Sequence, residues 1–310
     1  MDVVVAGASG ALGTVLVPQL VAAGHAVTGL SRSPSGLARI RAAGARAVRA
    51  DLLDEPGLLR ALADVRADAV VHQATALERT PTRHRHLHAT NALRDRGTAH
   101  LLRCAAQIGA RRFVTQSFFL GYGYRDHGSA PVTEDRPFGE LTGDAFDVHL
   151  RSMRANEDQV LGATGVEGIA LRYGLFYGSD RSTAALLDLA RRRRLPAPAP
   201  AGVTSPVHLE DAAAATVAAL ERGRPGQAYN VVDDHPVGFD EFVDALAAAV
   251  GAPPPRRVPA WVLRPLPYLH ALMARTRIRV SNAKAREELD WAPRHPSCHE
   301  GLAEVAAARA

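Results

Sequence analysis

Lysine is almost missing from this 310-residue chain: of 37 basic residues, only Lys284 carries an ammonium group. Arginine stays charged and does not exchange a proton. Any mechanism that needs an ammonium in the first two-thirds of the chain is therefore excluded. Cysteine is scarce too. Cys104 and Cys298 are far apart and show no metal-ligand spacing, so both read as free thiols in a reducing compartment. No apolar run approaches the roughly 20 residues that span a bilayer, and a strand occupies the place where a signal peptide would lie. The chain reads as cytoplasmic, with no membrane partner. Nucleic acid is not expected as a partner either. The net charge is only +5, and basic residues are mixed with acidic ones except in the arginine run 191–194. That run suits a helix end, where cations complement the dipole, and no basic stripe with interleaved aromatics accompanies it.

What the chain has is alternation. Short apolar runs at 3–6, 26–30, 45–49, 69–72, 113–116 and 168–172 read as strands, and helical patterns at 12–23, 36–43, 56–63, 93–108 and 150–163 lie between them. Strand and helix in this order predict an α/β Rossmann fold, a doubly wound parallel sheet. Regularity fades after Arg172, where Pro196, Pro198 and Pro200 interrupt the pattern. It returns with the alanine-rich helix that ends at Leu220 and a strand at 228–232. Helices near 239–250, 261–273 and 283–289 complete the chain. The expected division is a dinucleotide-binding domain, 1–174 plus 208–235, and a smaller C-terminal substrate-binding cap, 175–207 plus 236–310.

The first strand runs straight into Gly7, Gly10 and Gly13, spaced G-x-x-G-x-x-G, and a helix follows. Such glycines allow a tight turn and let backbone N–H groups approach a pyrophosphate at the positive end of the helix. The expected contacts are Gly7, Ser9, Gly10, Ala11, Leu12 and Gly13. Sites that prefer an unphosphorylated ribose usually place a carboxylate at the end of the second strand. Here Ser31 and Arg32 stand there, a hydroxyl and a cation suited to a 2′-phosphate, so NADP is the expected cofactor and NAD the alternative. Asp51, followed by Leu52, is placed to receive the adenine amino group or to cap the next helix.

Taken together, 7–13, Asp51-Leu52, Val70-Val71-His72-Gln73-Ala74, Gly97-Thr98, Tyr122-Gly123, Thr133-Glu134-Asp135, Leu171-Arg172 with Tyr177-Gly178, 207–211 and Asn282-Ala283-Lys284-Ala285 resemble the extended short-chain dehydrogenase/reductases, the NAD-dependent epimerase/dehydratase group. The resemblance implies that Gln73 and Ala74 also border the cofactor and that the protein forms a homodimer through its 93–108 and 150–163 helices. It further implies a catalytic Asn, a Ser or Thr, and a Tyr-x-x-x-Lys pair on one helix face, where Lys lowers the Tyr pKa and Tyr transfers a proton.

All four positions depart from that pattern. Registered on Glu157, the helix has His149 for Tyr and Met153 for Lys. Phe118 stands at the Ser/Thr position with Ser117 before it, and Arg94 at the Asn position with Asn91 one turn earlier. The family's proton relay is unavailable. With an ordinary pKa of about 6.5, His149 is the candidate general acid, and Ser117 or Tyr122 would orient a substrate carbonyl. His84, His86 and His88 lack an acidic or thiol partner, so no metal is expected; they are placed instead to touch an anionic or phenolic substrate. Phe118, Phe119, Tyr122, Tyr124, Tyr173, Phe176 and Tyr177 gather after the fifth and sixth strands, where doubly wound sheets bind ligands. The expected activity is an atypical NADP(H)-dependent oxidoreductase or epimerase acting on a small apolar or aromatic carbonyl compound. A non-redox isomerase, cyclase or dehydratase, and a nucleotide-sensing protein without activity, are the alternatives.

Overall fold

A computed structural model describes residues 1–77 and 80–309. Seven strands form one parallel sheet: β1 Asp2–Ala6, β2 Ala26–Ser31, β3 Arg46–Arg49, β4 Ala69–His72, β5 Arg112–Phe118, β6 Glu167–Tyr173 and β7 Gln227–Val231, in the spatial order β7-β6-β5-β4-β1-β2-β3. Side chains alternate across a strand. Val3 and Val5 therefore meet Leu16, Leu20 and Leu220 on one face, while Val4 and Ala6 meet Leu101, Phe113 and Val160 on the other. Burial on both faces is why these strands read as continuous apolar runs rather than alternating ones.

The helices α1 Gly13–Ala22, α2 Pro34–Ala42 and α3 Glu55–Ala61 follow the first three strands. The next, α4, covers 88–108 in three pieces, an α-helix His88–Ala92, a π turn Leu93–Gly97 and an α-helix Thr98–Ile108. After β5 comes α5, Asp147–Leu161. The alanine-rich helix Leu209–Arg222 packs against α1, its small side chains permitting close approach. The sheet order reverses between β1 and β4, which places a ligand crevice over the carboxyl ends of those strands.

Two further apolar clusters lie beyond the sheet, one around Phe119, Tyr122, Tyr268 and Ile278 and one around Tyr177, Phe242, Leu246 and Leu302. Three local differences from expectation have clear causes. The helix expected at 261–273 is broken into a 3-10 turn Ala260–Leu263, a short helix Pro267–His270 and a π turn Ala271–Arg275, because Pro265 and Pro267 cannot continue a helix. The segment His84–Leu87 is a 3-10 turn that hands over to α4 at His88, so His84 and His88 do not share one helical face. Cys298–Ala307 forms an unanticipated helix, although Ser297 with Glu300 spells a capping box and the Ser297 hydroxyl does accept from the Glu300 N–H. Cys104 and Cys298 are buried free thiols. Lys284 lies beside β7, donating to Gln227 Oε1 at 2.7 Å and the Ala228 carbonyl at 3.1 Å, 5.0 Å from the centre of the Tyr229 ring. No helix among the described residues is long and apolar enough to cross a membrane.

Candidate cofactor groove and active site

The glycine turn is built against the end of β4. Gly7 adopts φ +85°, and a side chain there would meet the Ala74 nitrogen and the Gln73 carbonyl carbon at 2.6 Å. Gly13 faces the Gly7 carbonyl just as closely. Both glycines are therefore required by backbone packing itself. Gly10 differs: it is exposed, as is Ala11, while Leu12 is buried. The first turn of α1 has no side-chain cap and no acidic residue. The Thr14 and Val15 N–H groups donate to the Gly10 and Leu12 carbonyls, and among the described residues no acceptor is found for the N–H groups of Ala11, Leu12 and Gly13, an arrangement that fits a pyrophosphate.

Further along the groove, Ser31 is buried and its Oγ lies 3.0 Å from Ser9 Oγ, tying the end of β2 to the glycine turn. The Arg32 side chain is 66% exposed and stands 4.0 Å from Asp51 Oδ2. Asp51 also accepts from the Leu53 N–H at 3.0 Å, and Leu52 is in the core. Gln73 donates to the Tyr173 hydroxyl at 2.9 Å. The structure thus brings the expected cofactor residues into one strip along the crevice.

The reacting centre differs from its expectation. His149 is 0% exposed, and burial, reinforced by the neighbouring His84 imidazole and the Arg94 charge, pulls its pKa down to about 4. It is a neutral imidazole at pH 7, so the expected titration near neutrality is not what the fold provides. Asn91 Nδ2 lies 2.9 Å from His149 Nδ1, and His84 Nδ1 lies 3.0 Å from His149 Nε2. Ser152 Oγ donates to Asn91 Oδ1 at 3.0 Å. A row from Ser152 through Asn91 and His149 to His84 results, and Asn91 rather than Arg94 is the residue bonded to His149. Met153, one turn along, is fully buried.

Ser117 and Tyr122 lie elsewhere in the bonding scheme. The Ser117 hydroxyl is buried without a hydrogen-bond partner. Tyr122 donates to Asn230 Oδ1 at 2.8 Å and accepts from Arg172 Nη1 at 2.9 Å, and burial pushes its pKa up to about 12. Arg172 in turn grips Glu157 of α5, Nε at 3.0 Å and 3.2 Å from the two carboxylate oxygens and Nη2 at 2.8 Å. Tyr122 is thus held in a buried charge network, and the structure does not bring its hydroxyl to His149.

What surrounds His84 and His149 is aromatic. The ring centres of His84 and Phe146 are 4.6 Å apart, those of Tyr124 and Phe146 4.3 Å, and Tyr268 stands 5.9 Å from both His149 and Tyr124. Tyr124 belongs to the cluster read from the sequence. Phe146 and Tyr268 carried no such signal, since only the folded chain brings them together, whereas Asn91 stood one turn from the expected Asn position. A second histidine group, His208, His295 and Glu210, has metal-compatible spacing. Both His295 nitrogens are already engaged, by Asp211 at 2.9 Å and Glu304 at 3.0 Å.

Residues 3–232 match the family described as NAD dependent epimerase/dehydratase. The chain belongs to that family. It is 37% identical to a 3-diazoavenalumate denitrifying reductase of a Streptomyces species, over 97% of this chain and 99% of that protein. It is 28% identical to a 2-alkyl-3-oxoalkanoate reductase of Stenotrophomonas maltophilia, over 82% of this chain and 77% of that one. Among solved structures it resembles the UDP-glucose 4-epimerase of Thermus thermophilus in complex with NAD, with a TM-score of 0.80 at 24% identity, covering 99% of this chain and 98% of the other. The UDP-glucose 4-epimerase of Thermotoga maritima gives 0.80 at 19% identity with the same coverage. These likenesses show the shared fold, and the family and its reductase relatives make the chain an NAD(P)-dependent enzyme of the oxidoreductase or epimerase/dehydratase type.

Proposed function

We propose that the protein is an NADP(H)-dependent reductase of small aromatic diazo compounds. The carrying observation is on α5, where His149 and Met153, which the sequence registers at the family's Tyr and Lys positions, are both fully buried, with the imidazole held neutral. A carbonyl reduced by hydride also needs a proton from a positioned acid. An arenediazonium ion does not: one hydride converts it to the arene with loss of N2, charge is conserved, and no proton is consumed. A site stripped of its proton relay suits the second reaction, and the name of the Streptomyces relative, a denitrifying reductase of a diazo compound, supports the reading. When bound, the nicotinamide supplies the hydride. The chain supplies a wall of aromatic rings from Tyr124, Phe146 and Tyr268, and water is excluded by the buried His149 and Met153.

The test is stoichiometry. With NADPH and an arenediazonium salt or an ortho-quinone diazide, one N2 should be released for each NADPH oxidised, at a rate at least 100-fold above that with aromatic ketones or 3-oxo acids. Oxidation of NADPH by oxo acids without turnover of the diazo compounds would reject the reading in favour of carbonyl reduction.

The preference for NADP(H) is part of the same proposal. Arg32 is the exposed cation at the end of β2, and no carboxylate replaces it there. Arg32→Ala should raise the KM for NADPH about tenfold, corresponding to about 1.4 kcal/mol, while the KM for NADH stays within about twofold. Equal effects on both cofactors in steady-state kinetics would count against a 2′-phosphate contact.

A further inference from the structure

The helix that carries Asn91 also carries a buried charge that no group among the described residues balances. Arg94 lies in the π turn Leu93–Gly97 and is 5% exposed. Its Nε has no hydrogen-bond partner, and no ion pair to its guanidinium is found among the described residues. The groups that feel its charge are the Tyr124 and Tyr268 phenols and the His149 and His72 imidazoles. None of these is an anion at neutral pH, since burial raises both phenols and lowers both imidazoles.

Buried charges in proteins are paired, and one left alone is destabilising. This one lies on the same helix as Asn91, whose partner His149 packs against Tyr268 and bonds His84, and these rings with Tyr124 and Phe146 form the aromatic wall. A guanidinium fork matches a carboxylate in shape and can hold both of its oxygens. A carboxylate is also ionised throughout the neutral range, as a phenol is not. We propose that Arg94 is the receptor for the carboxylate of a small aromatic acid, the ring of which packs against Tyr124, Phe146 and Tyr268 beside His84. The aromatic half of this inference rests on the reductase reading; the anionic half rests on the unbalanced charge.

Binding of unreactive acids tests it without any hydride transfer. The full-length protein saturated with NADP+ is titrated calorimetrically with cinnamate, methyl cinnamate, 4-hydroxycinnamate and methyl 4-hydroxycinnamate. Each acid should bind at least tenfold more tightly than its ester. Arg94→Met should remove that preference and, by deleting an unpaired buried charge, unfold at a higher urea concentration than the parent; Arg94→Lys should keep part of the preference. Esters binding as tightly as acids to the parent protein would overturn the proposal without recourse to any variant. So would tight binding of methyl 4-hydroxycinnamate alone, which would assign the contact to the phenol. Absence of binding by all four compounds, or an acid preference unchanged in Arg94→Met, would overturn it as well. None of the probes carries a diazo group, so failure to reduce diazo compounds leaves this result intact, and failure here leaves N2 release free to be measured.

Discussion

Glu157→Leu should lower the folding stability by about 3–5 kcal/mol, because it leaves the Arg172 guanidinium buried without its counter-ion. The two side chains are 2% and 9% exposed and are joined by three close N–O contacts, so water cannot take the place of the lost carboxylate. The Tyr122 hydroxyl, which accepts from Arg172, would remain as a poor substitute. Charge and not volume is at issue, which the paired replacement Glu157→Leu with Arg172→Met separates. Removing both charges should recover most of the loss, as apolar replacement of buried ion pairs often does. Urea unfolding midpoints of the parent, the single variant and the pair decide it, and equal destabilisation of the single and the pair would mean that packing dominates.

The second large effect concerns the glycine turn, where two neighbours should behave in opposite ways. Gly7→Ala has to place a methyl group against the Ala74 nitrogen and Gln73 carbonyl carbon at 2.6 Å while holding φ at +85°. Left-handed backbone costs a non-glycine residue about 1–2 kcal/mol, and overpacking against atoms that cannot move adds about 1–3 kcal/mol. The variant should therefore lose stability with or without cofactor. Gly10→Ala meets only the Gly7 oxygen, at 3.2 Å, on the exposed side of the turn. Its fold should stay within about 1 kcal/mol of the parent, ordinary for a surface change, while affinity for NADPH falls at least tenfold, since the methyl group stands where a phosphate would approach the backbone. Unfolding midpoints measured beside NADPH fluorescence titrations separate the two, and an unaltered NADPH affinity in Gly10→Ala would show that the pyrophosphate lies elsewhere.

The sheet was readable from the chain because strands buried on both faces leave an unbroken apolar signature, and all seven runs, from 3–6 to 228–232, fall within a residue or two of the strands found. The register of α5 came from the family resemblance through Glu157, and what the fold adds is that this acid is buried against Arg172. The partner on α4 was not readable that way. Motif spacing puts Arg94 at the Asn position, but Arg94 lies in the π turn Leu93–Gly97, and Asn91 in the helical turn before it is the residue that reaches His149. His149 could not be assigned its protonation state from sequence either. The cause is burial against a histidine 65 residues away, which reaches it from a 3-10 turn. Tyr268 enters from the far end of the chain, past two prolines that disguise its segment.

The single lysine has a practical meaning. Lys284 is held at β7 by Gln227 and Ala228 and lies over Tyr229, while the groove and aromatic wall are lined by arginine, histidine, tyrosine and backbone. Acylating reagents that seek primary amines find only this nitrogen and the chain's amino terminus. Each side-chain label would sit at one known address on the sheet's outer strand, where a dye could report ligand binding without competing for the groove.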